Sequence, residues 1–223
     1  MRELDQQLLN FSFKKNYKKD DYYVSECNYF AYKLVETWPK WEKNIINICG
    51  EKFSGKSHLA EIFLKKNKGK LIDLKFDKLD DLTQLKVFEN ILLENFDDNY
   101  DEEIIFSLIN FVDQNNKYLI IISQKPINEF KFLLKDLESR SRNCLIAKIN
   151  KPDDQMIKVL LTKCFSDKQI LIDNKLIDFT IKRISRSYGK IFEFIYNIDE
   201  LSLKKKKSID LKIIKDVLKA QIE

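Results

Sequence analysis

Glycine, proline and histidine are scarce in this sequence: its 223 residues include 4 Gly, 3 Pro and 1 His. So little Gly and Pro predicts neither a flexible linker nor a low-complexity segment. The single histidine, His58, almost excludes histidine-based metal sites and catalytic triads. Long apolar runs are also missing, and residues 1–7 lack the apolar core of a signal peptide. The sequence therefore predicts neither a membrane span nor a secretion signal.

Cysteine spacing gives no sign of a zinc site or a disulfide framework. The four cysteines are widely scattered and form no C-x-x-C pair: Cys27, Cys49, Cys144 and Cys164. This pattern favours reduced thiols, and we expect a cytoplasmic protein. The net charge is only +5, from 40 basic and 35 acidic residues. We interpret the densest basic run, residues 204–207, as a solvated loop between helices; a contact with a phosphate backbone is the alternative.

Strand-like and helix-like segments alternate over the first two thirds of the chain. Residues 1–20 are polar and lysine-rich, and we predict a tail there. The apolar patterns then predict helix 28–38, strand 44–49, helix 58–66, strand 71–74, helix 78–89, strand 91–93, helix 101–115, strand 118–122, a short helix up to 140 and strand 144–147. This alternation indicates an α/β core with a parallel sheet flanked by helices, at 21–151. After it, helical periodicity alone predicts a small all-helical domain at 152–223.

The segment Gly50–Ser57 fits G-x-x-x-x-G-K-[ST], the phosphate-binding P-loop. A predicted strand precedes it and a predicted helix follows it, which is the context that the motif needs; a chance match in a helix-start turn is the alternative. Backbone N–H groups would hold phosphates at the positive end of the helix dipole. Lys56 would reach the outer phosphates, and the Ser57 hydroxyl would ligate Mg²⁺. We therefore predict a nucleotide site made by Gly50, Glu51, Lys52, Phe53, Ser54, Gly55, Lys56 and Ser57.

Acidic and amide residues follow the predicted strand 91–93. P-loop ATPases place an acid at such a strand end to hold Mg²⁺, and many add a second acid that orients the attacking water. Glu94 has the first position, which predicts a catalytic and Mg²⁺-linked role. Asn95 has the second position, and because an amide cannot accept a proton, we do not expect fast autonomous hydrolysis. We interpret Asp97 and Asp98 as solvated loop acids.

Three further polar residues are candidates for the site. Ser123 ends a predicted strand, where it would point towards a γ-phosphate or else serve only in a turn. Arg140 precedes the last strand and could enter a neighbour's nucleotide site as an arginine finger, although exposed arginines usually do nothing specific. In the helical part, Lys190, or Arg186 one turn earlier, could lie over the phosphates; solvation is the simpler interpretation.

Together these motifs resemble the AAA+ ATPases, and most closely their DnaA branch. Gly50–Leu59 resembles that branch's P-loop followed by His-Leu, which adds His58 to the cofactor-binding residues. Ser123 with Lys125-Pro126 resembles its sensor 1 segment, and Asp136–Arg140 resembles its box VII, whose arginine is the finger. The resemblance implies an AAA+ core followed by a helical lid, over roughly 20–220.

Two further similarities point to a subgroup. Ser187–Lys190, with Glu193, resembles the sensor 2 helix, although the family usually has arginine where Lys190 stands. Glu94-Asn95 resembles the acid–amide pair of Hda/HdaA-type proteins, which are related to DnaA but lack its DNA-binding domain, and residues 38–41 resemble the alphaproteobacterial form. Such proteins are negative regulators of chromosome replication initiation.

The Hda resemblance implies binding to the polymerase sliding clamp and stimulation of ATP hydrolysis by DnaA in trans, with Arg140 as the finger. The implied cofactors are ADP or ATP and Mg²⁺, and the implied partners are DnaA and the clamp, without sequence-specific DNA binding; a homodimer stays open. Two alternatives remain at this point: a non-catalytic adaptor that recruits partners to DNA, and a slow autonomous AAA+ ATPase.

The resemblance also implies a clamp-binding peptide near the N-terminus. Gln6–Phe11 offers Q-x-x-L-x-F, and Gln7-Leu8 offers a shorter form. Such a peptide inserts apolar anchors into a groove while glutamine supplies directional hydrogen bonds. An apolar staple on the protein core is the alternative. The predicted clamp-binding residues are Gln6, Gln7, Leu8, Leu9 and Phe11.

Overall fold

The computed structural model describes residues 21–221, except 76, 78, 80, 171 and 206–208. The described residues form a five-stranded sheet in which every neighbouring pair is parallel. Its strands are β1 Ile45–Cys49, β2 Gly69–Asp73, β3 Asn90–Phe96, β4 Tyr118–Ser123 and β5 Leu145–Lys148. The spatial order is β2-β3-β4-β1-β5. The strand before the P-loop therefore lies inside the sheet, between β4 and β5.

Helices connect the strands and then continue alone to the end of the described chain. They are α1 Tyr29–Thr37, α2 Lys56–Lys66, α3 Glu102–Gln114, α4 Lys135–Arg142, α5 Asp154–Asp167, α6 Asn174–Ile181, α7 Tyr188–Lys205 and α8 Leu211–Ala220. This arrangement confirms the predicted α/β class with a parallel sheet, flanking helices and a helical C-terminal region. None of the helices within the described residues is both long and apolar enough to cross a membrane.

Two local predictions were wrong. Residues 78–89 were expected to form a helix, but the regular part is a 3₁₀ turn at Leu82–Val87, in which Leu85 alone is buried. Leu79, Leu82 and Leu85 pack in or against the core, and their spacing of three residues matches the repeat of a 3₁₀ turn rather than the 3.6-residue repeat of an α-helix. Strand β3 also continues beyond the predicted end at 93, with an irregular register between Leu93 and Phe96.

The sheet buries both of its faces because successive side chains in a strand point in opposite directions. One core contains the odd-numbered positions of β1, β3 and β4 together with α3: Ile45, Ile91, Leu93, Leu119, Ile121, Ile105, Leu108 and Val112. The other contains the even-numbered positions together with α1 and α2: Ile46, Ile48, Leu92, Ile120, Ile122, Ala31, Val35, Leu59 and Phe63. Near-continuous apolar strands are thus explained by two covered faces.

The C-terminal helices have an apolar core of their own, to which α5, α6, α7 and α8 all contribute. Aspartate side chains accept hydrogen bonds from first-turn N–H groups of three of these helices, at Asp153, Asp173 and Asp210. This capping satisfies donors that have no partner within the helix. Tyr188, the first residue of α7, instead packs in the core on the α1 and α2 side of the sheet, which connects the helical region to the sheet.

Candidate nucleotide-binding site

The P-loop leaves the carboxyl end of β1 and runs into α2, so it lies at the edge of the sheet where ligands bind in such folds. The Gly50 N–H donates to the Ser123 carbonyl oxygen of β4 at 3.3 Å. Gly55 caps α2 with a left-handed φ of 91°, which favours glycine. A Cβ atom at this position would lie 3.3 Å from the ring of Tyr22. The loop therefore has the backbone shape that a phosphate cradle needs.

Lys56 points back into its own loop. Its Nζ donates to the carbonyl oxygens of Gly50 (2.7 Å) and Glu51 (2.8 Å), and lies 3.4 Å from Ser54 Oγ. The residue is 9% exposed, and burial lowers the pKa of its ammonium group to about 8, against opposing effects of Cys49, Glu51 and Glu94. Among the described residues, the hydrogen-bond partners of this buried ammonium are neutral oxygens, so phosphate oxygens would supply the negative charge that such a group favours.

Glu51 connects the P-loop to the start of α7. Its Oε1 accepts hydrogen bonds from the Ser187 hydroxyl and from the Gly189 N–H at 3.2 Å. Its Oε2 accepts from the Tyr188 N–H at 3.1 Å. One carboxylate thus satisfies the first two N–H groups of α7, and its negative charge lies at the positive end of the helix dipole.

The remaining P-loop side chains lie at the surface or against aromatic neighbours. Phe53 is about half exposed with a φ of 69°, and its ring centroid lies 5.4 Å from that of Phe192 in α7. Lys52 Nζ lies 5.2 Å from the Phe53 ring. His58, in the first turn of α2, meets the Tyr22 ring edge-on at 5.2 Å. These contacts extend the connection between the loop and α7 and place an aromatic ring beside the loop.

Glu94 and Ser57 are the predicted Mg²⁺ residues. Ser57 follows Lys56 in α2, and Glu94 lies in β3, where its charge slightly opposes the burial that lowers the pKa of Lys56. The described residues contain no cluster of three or more His, Cys, Asp or Glu side chains suited to a metal. One hydroxyl and one carboxylate fit Mg²⁺, which keeps several waters and takes its other ligands from nucleotide phosphates.

Asn95 is hydrogen-bonded through its side chain to the neighbouring strand β2. Its backbone has a φ of 61°, and its Nδ2 donates to Asp73 Oδ1 on β2 at 2.7 Å. Its carbonyl oxygen accepts from the Tyr100 hydroxyl at 2.8 Å. The side chain therefore joins two strands. Of the acids that follow, Asp98 pairs with Lys125 at 2.9 Å, as a surface residue would.

Ser123 lies at the carboxyl end of β4, as predicted, but its hydroxyl is engaged inside the protein. It accepts from Asn47 Nδ2 at 2.8 Å and donates to the Lys125 carbonyl oxygen at 2.7 Å. Asn47 is fully buried in β1, and its Oδ1 accepts from the Ile127 N–H at 2.8 Å. The sequence pattern gave no reason to single out Asn47, which holds the loop after β4 in place.

Arg140 lies in the last turn of α4, at the other edge of the sheet. It lines a cavity of about 240 Å³ together with Asn44 and Ile45, at the amino end of β1. Its Nη1 donates to Asp113 Oδ2 at 2.7 Å, and Asn44 Nδ2 donates to Asp113 Oδ1 at 2.9 Å. The P-loop follows the far end of the same five-residue strand, about 16 Å away. Arg140 therefore faces away from the P-loop of its own chain.

The basic residues at the start of α7 form local ion pairs. Lys190 Nζ lies 2.9 Å from Glu193, and Arg186 lies 2.6 Å from Asp154. All four side chains are at least 46% exposed. The charged group that contacts the start of α7 from the P-loop is instead the Glu51 carboxylate. The predicted clamp-binding residues 6–11 lie outside the described residues.

Sequence comparisons find distant relatives. No model of a protein family matches the chain. An uncharacterized protein of Haemophilus influenzae is 27% identical over 188 residues, which is 77% of this chain and 80% of that protein. The chromosomal replication initiator protein DnaA of Helicobacter hepaticus is 24% identical over 230 residues, which is 91% of this chain. The alignment spans 50% of that DnaA, so the chain corresponds to about half of the initiator.

Comparison with solved structures shows which proteins share the fold of this chain. Domain III of DnaA from Thermotoga maritima superposes with a TM-score of 0.68 at 18% identity, over 92% of this chain and 96% of that domain. AMPPCP-bound DnaA from Aquifex aeolicus gives 0.61 at 19% identity, over 84% of this chain and 68% of that one. The RuvB branch-migration motor of Thermotoga maritima gives 0.57 at 14% identity, over 79% and 61%. The chain therefore has the AAA+ fold of DnaA domain III, with weak sequence similarity to DnaA itself.

Proposed function

We propose that the protein binds ADP or ATP with Mg²⁺ at Gly50–Ser57 and acts on DnaA as a regulator of replication initiation. The buried Lys56, whose ammonium group donates to the carbonyl oxygens of Gly50 and Glu51, supports nucleotide binding. Ser57 and Glu94 would complete the Mg²⁺ shell with phosphate oxygens and water. The bound ion would neutralise phosphate charge. We expect the protein in the cytoplasm, where its four free cysteines would stay reduced.

The position of Arg140 is the main support for action in trans. An arginine finger stabilises transition-state charge on a nucleotide that a neighbouring subunit binds. Arg140 lies at the amino edge of the sheet, away from its own P-loop, and its side chain is 44% exposed. A DnaA protomer docked on this edge would receive the guanidinium in its nucleotide site. Asp113 fixes one side of the guanidinium and leaves its remaining donors for a phosphate.

Weak hydrolysis by the protein itself fits the same proposal. Asn95 has the position of a water-orienting acid, and its amide is hydrogen-bonded to Asp73. An amide cannot serve as a general base. A regulator with a persistent nucleotide would keep its conformation while it acts on successive DnaA molecules, which suits the role proposed here.

The N-terminal peptide Gln6–Phe11 would tether the protein to the sliding clamp on DNA. Tethering raises the local concentration of a partner without any new contact and would restrict the reaction to active replication. Leu9→Ala combined with Phe11→Ala should remove clamp dependence. The same double variant should leave stimulation intact when the protein is added in excess.

The test is hydrolysis of ATP pre-bound to the cognate DnaA, with this protein added, in the presence and absence of clamp loaded on DNA. We expect DnaA-bound ATP to turn over faster with the protein, and faster again with loaded clamp. No stimulation by folded, ADP-loaded protein would contradict the regulator role.

An adaptor without catalytic effect is the second candidate. The contacts of Glu51 and Phe53 with α7 join the loop to the helical region, which favours a binding module whose nucleotide is structural. Binding to DnaA that survives while stimulation is absent would favour this candidate.

A further inference from the structure

The negative charge at the start of α7 is the side-chain carboxylate of Glu51, a residue of the P-loop. Glu51 accepts from the Ser187 hydroxyl and from the N–H groups of Tyr188 and Gly189 at the start of the helix. The same residue presents its carbonyl oxygen to Lys56 Nζ at 2.8 Å. Glu51 is half-buried, so its carboxylate is only partly screened by solvent. A fixed negative charge is therefore built into the loop that would hold phosphates.

Two contacts fix where this charge lies. The backbone of Glu51 is joined to the phosphate-binding lysine, and its side chain is joined to α7, so the carboxylate cannot move away without losing the helix cap. Burial lowers the pKa of Lys56, and the Glu51 charge is among those that partly oppose this shift. Any group that Lys56 binds lies within the field of the Glu51 carboxylate.

We propose that Glu51 is a specificity-determining residue whose carboxylate makes the site discriminate against long, highly charged phosphate chains. The inference rests on the proposed nucleotide binding and deepens it. Each further phosphate adds negative charge near a carboxylate that is held in place by the start of α7. Adenosine carries no such charge and is unaffected. The penalty therefore grows from the nucleoside to the diphosphate and the triphosphate.

The expected size follows from Coulomb's law. Two charges several ångströms apart at a partly exposed site change an equilibrium constant by roughly five-fold per unit charge. Replacement of Glu51 by glutamine removes the charge; the amide oxygen keeps one of the two acceptor positions at the start of α7, and the NH₂ group replaces the other. Glu51→Gln should therefore bind Mg·ATP about five-fold or more tighter than wild type, Mg·ADP less so, and adenosine equally.

The experiment is calorimetric titration of adenosine, Mg·ADP and Mg·ATP into wild type and variants whose folding is verified by thermal unfolding. Glu200→Gln is the matched control, because it removes the same charge from α7 about 18 Å from Tyr188. It should leave the ratio of ATP to ADP affinity unchanged. Glu51→Ala, which removes charge and cap together, should shift this ratio in the same direction as Glu51→Gln.

The variant Ser187→Ala separates the effect of the Glu51 charge from the effect of packing at the start of α7. Ser187→Ala removes a donor to Glu51 but keeps its carboxylate, so the wild-type ratio should persist. Equal ATP to ADP ratios in wild type and both Glu51 variants would overturn the inference while nucleotide binding stands. A ratio shifted as strongly by Ser187→Ala would also overturn it, because loosening of α7 would then be the cause. Wild type that binds neither nucleotide would overturn the proposed function and this inference together.

Discussion

The affinity for a nucleotide should fall as pH rises through the pKa of Lys56. Burial lowers the pKa of this ammonium group to about 8 in the protein without ligand. Phosphate binds the protonated form and stabilises it, so the pKa in the complex lies well above 8. Lys56 is then about 90% protonated at pH 7 and about 10% at pH 9 in the free protein. The apparent affinity for Mg·ADP should weaken about ten-fold between these pH values.

The Cys49 thiol, which also acts on Lys56, does not titrate between pH 7 and pH 9. Burial raises the pKa of the Cys49 thiol to about 11, so the thiol stays neutral between pH 7 and pH 9. The control is Lys56→Arg, whose guanidinium stays charged throughout and should give a flat profile even if binding is weaker. Titration calorimetry at several pH values measures both. A flat wild-type profile, or an equal slope in Lys56→Arg, would refute the reasoning.

The stability of the nucleotide-free protein should change in the opposite sense. The pKa of Lys56 is lower in the folded state than its ordinary value of 10.5, so the unfolded chain binds more protons between about pH 8 and pH 10.5. The contribution of Lys56 to the free energy of unfolding therefore rises with pH across that window. Urea unfolding of wild type and Lys56→Met, compared at each pH, isolates this contribution. A difference between them that stays constant would contradict it.

Two further substitutions test the roles of asparagines in β1 and β3, beside the site. Asn47→Ala leaves the buried Ile127 N–H without its acceptor and the Ser123 hydroxyl with the Lys125 carbonyl oxygen alone, and should lower the free energy of unfolding in urea by about 2–3 kcal/mol; a loss below about 0.5 kcal/mol would contradict that role. Asn95→Asp should not create an efficient ATPase, because the new carboxylate would face Asp73, which now accepts from the Asn95 amide. A phosphate-release assay with a ten-fold gain in turnover would exclude this explanation.

Local sequence patterns were sufficient for most of the fold. The inner strands β1, β3 and β4 are short apolar runs, and sheets covered on both faces need such runs, whereas the edge strand β2 buries only Ile72. The P-loop was recognisable because its glycine, lysine and serine positions are contiguous in Gly50–Ser57. The helical C-terminal region followed from the change of periodicity after residue 152. These features depend on neighbours in sequence, which is why sequence reasoning could predict them.

Contacts between distant residues could not be predicted in this way. Glu51 caps a helix that begins more than 130 residues later. Asn47 and Asp113 act through partners on other strands and helices, and no periodicity marks them. The register irregularity between Leu93 and Phe96, where Asn95 lies, belongs to the pairing of β3 with β4. In each case the sheet had to be assembled before the role of the side chain became visible.

The most direct test of the central proposal compares two neighbouring arginines of α4. Arg140 lines the cavity at the amino edge of the sheet, whereas Arg142 forms an i,i+4 pair with Glu138 and is 71% exposed. The rate of hydrolysis of DnaA-bound ATP should fall at least about 100-fold towards the unstimulated rate with Arg140→Ala. Arg142→Ala should stimulate like wild type, and both variants should still bind the clamp. Full stimulation by Arg140→Ala would contradict the proposal that this arginine acts in trans.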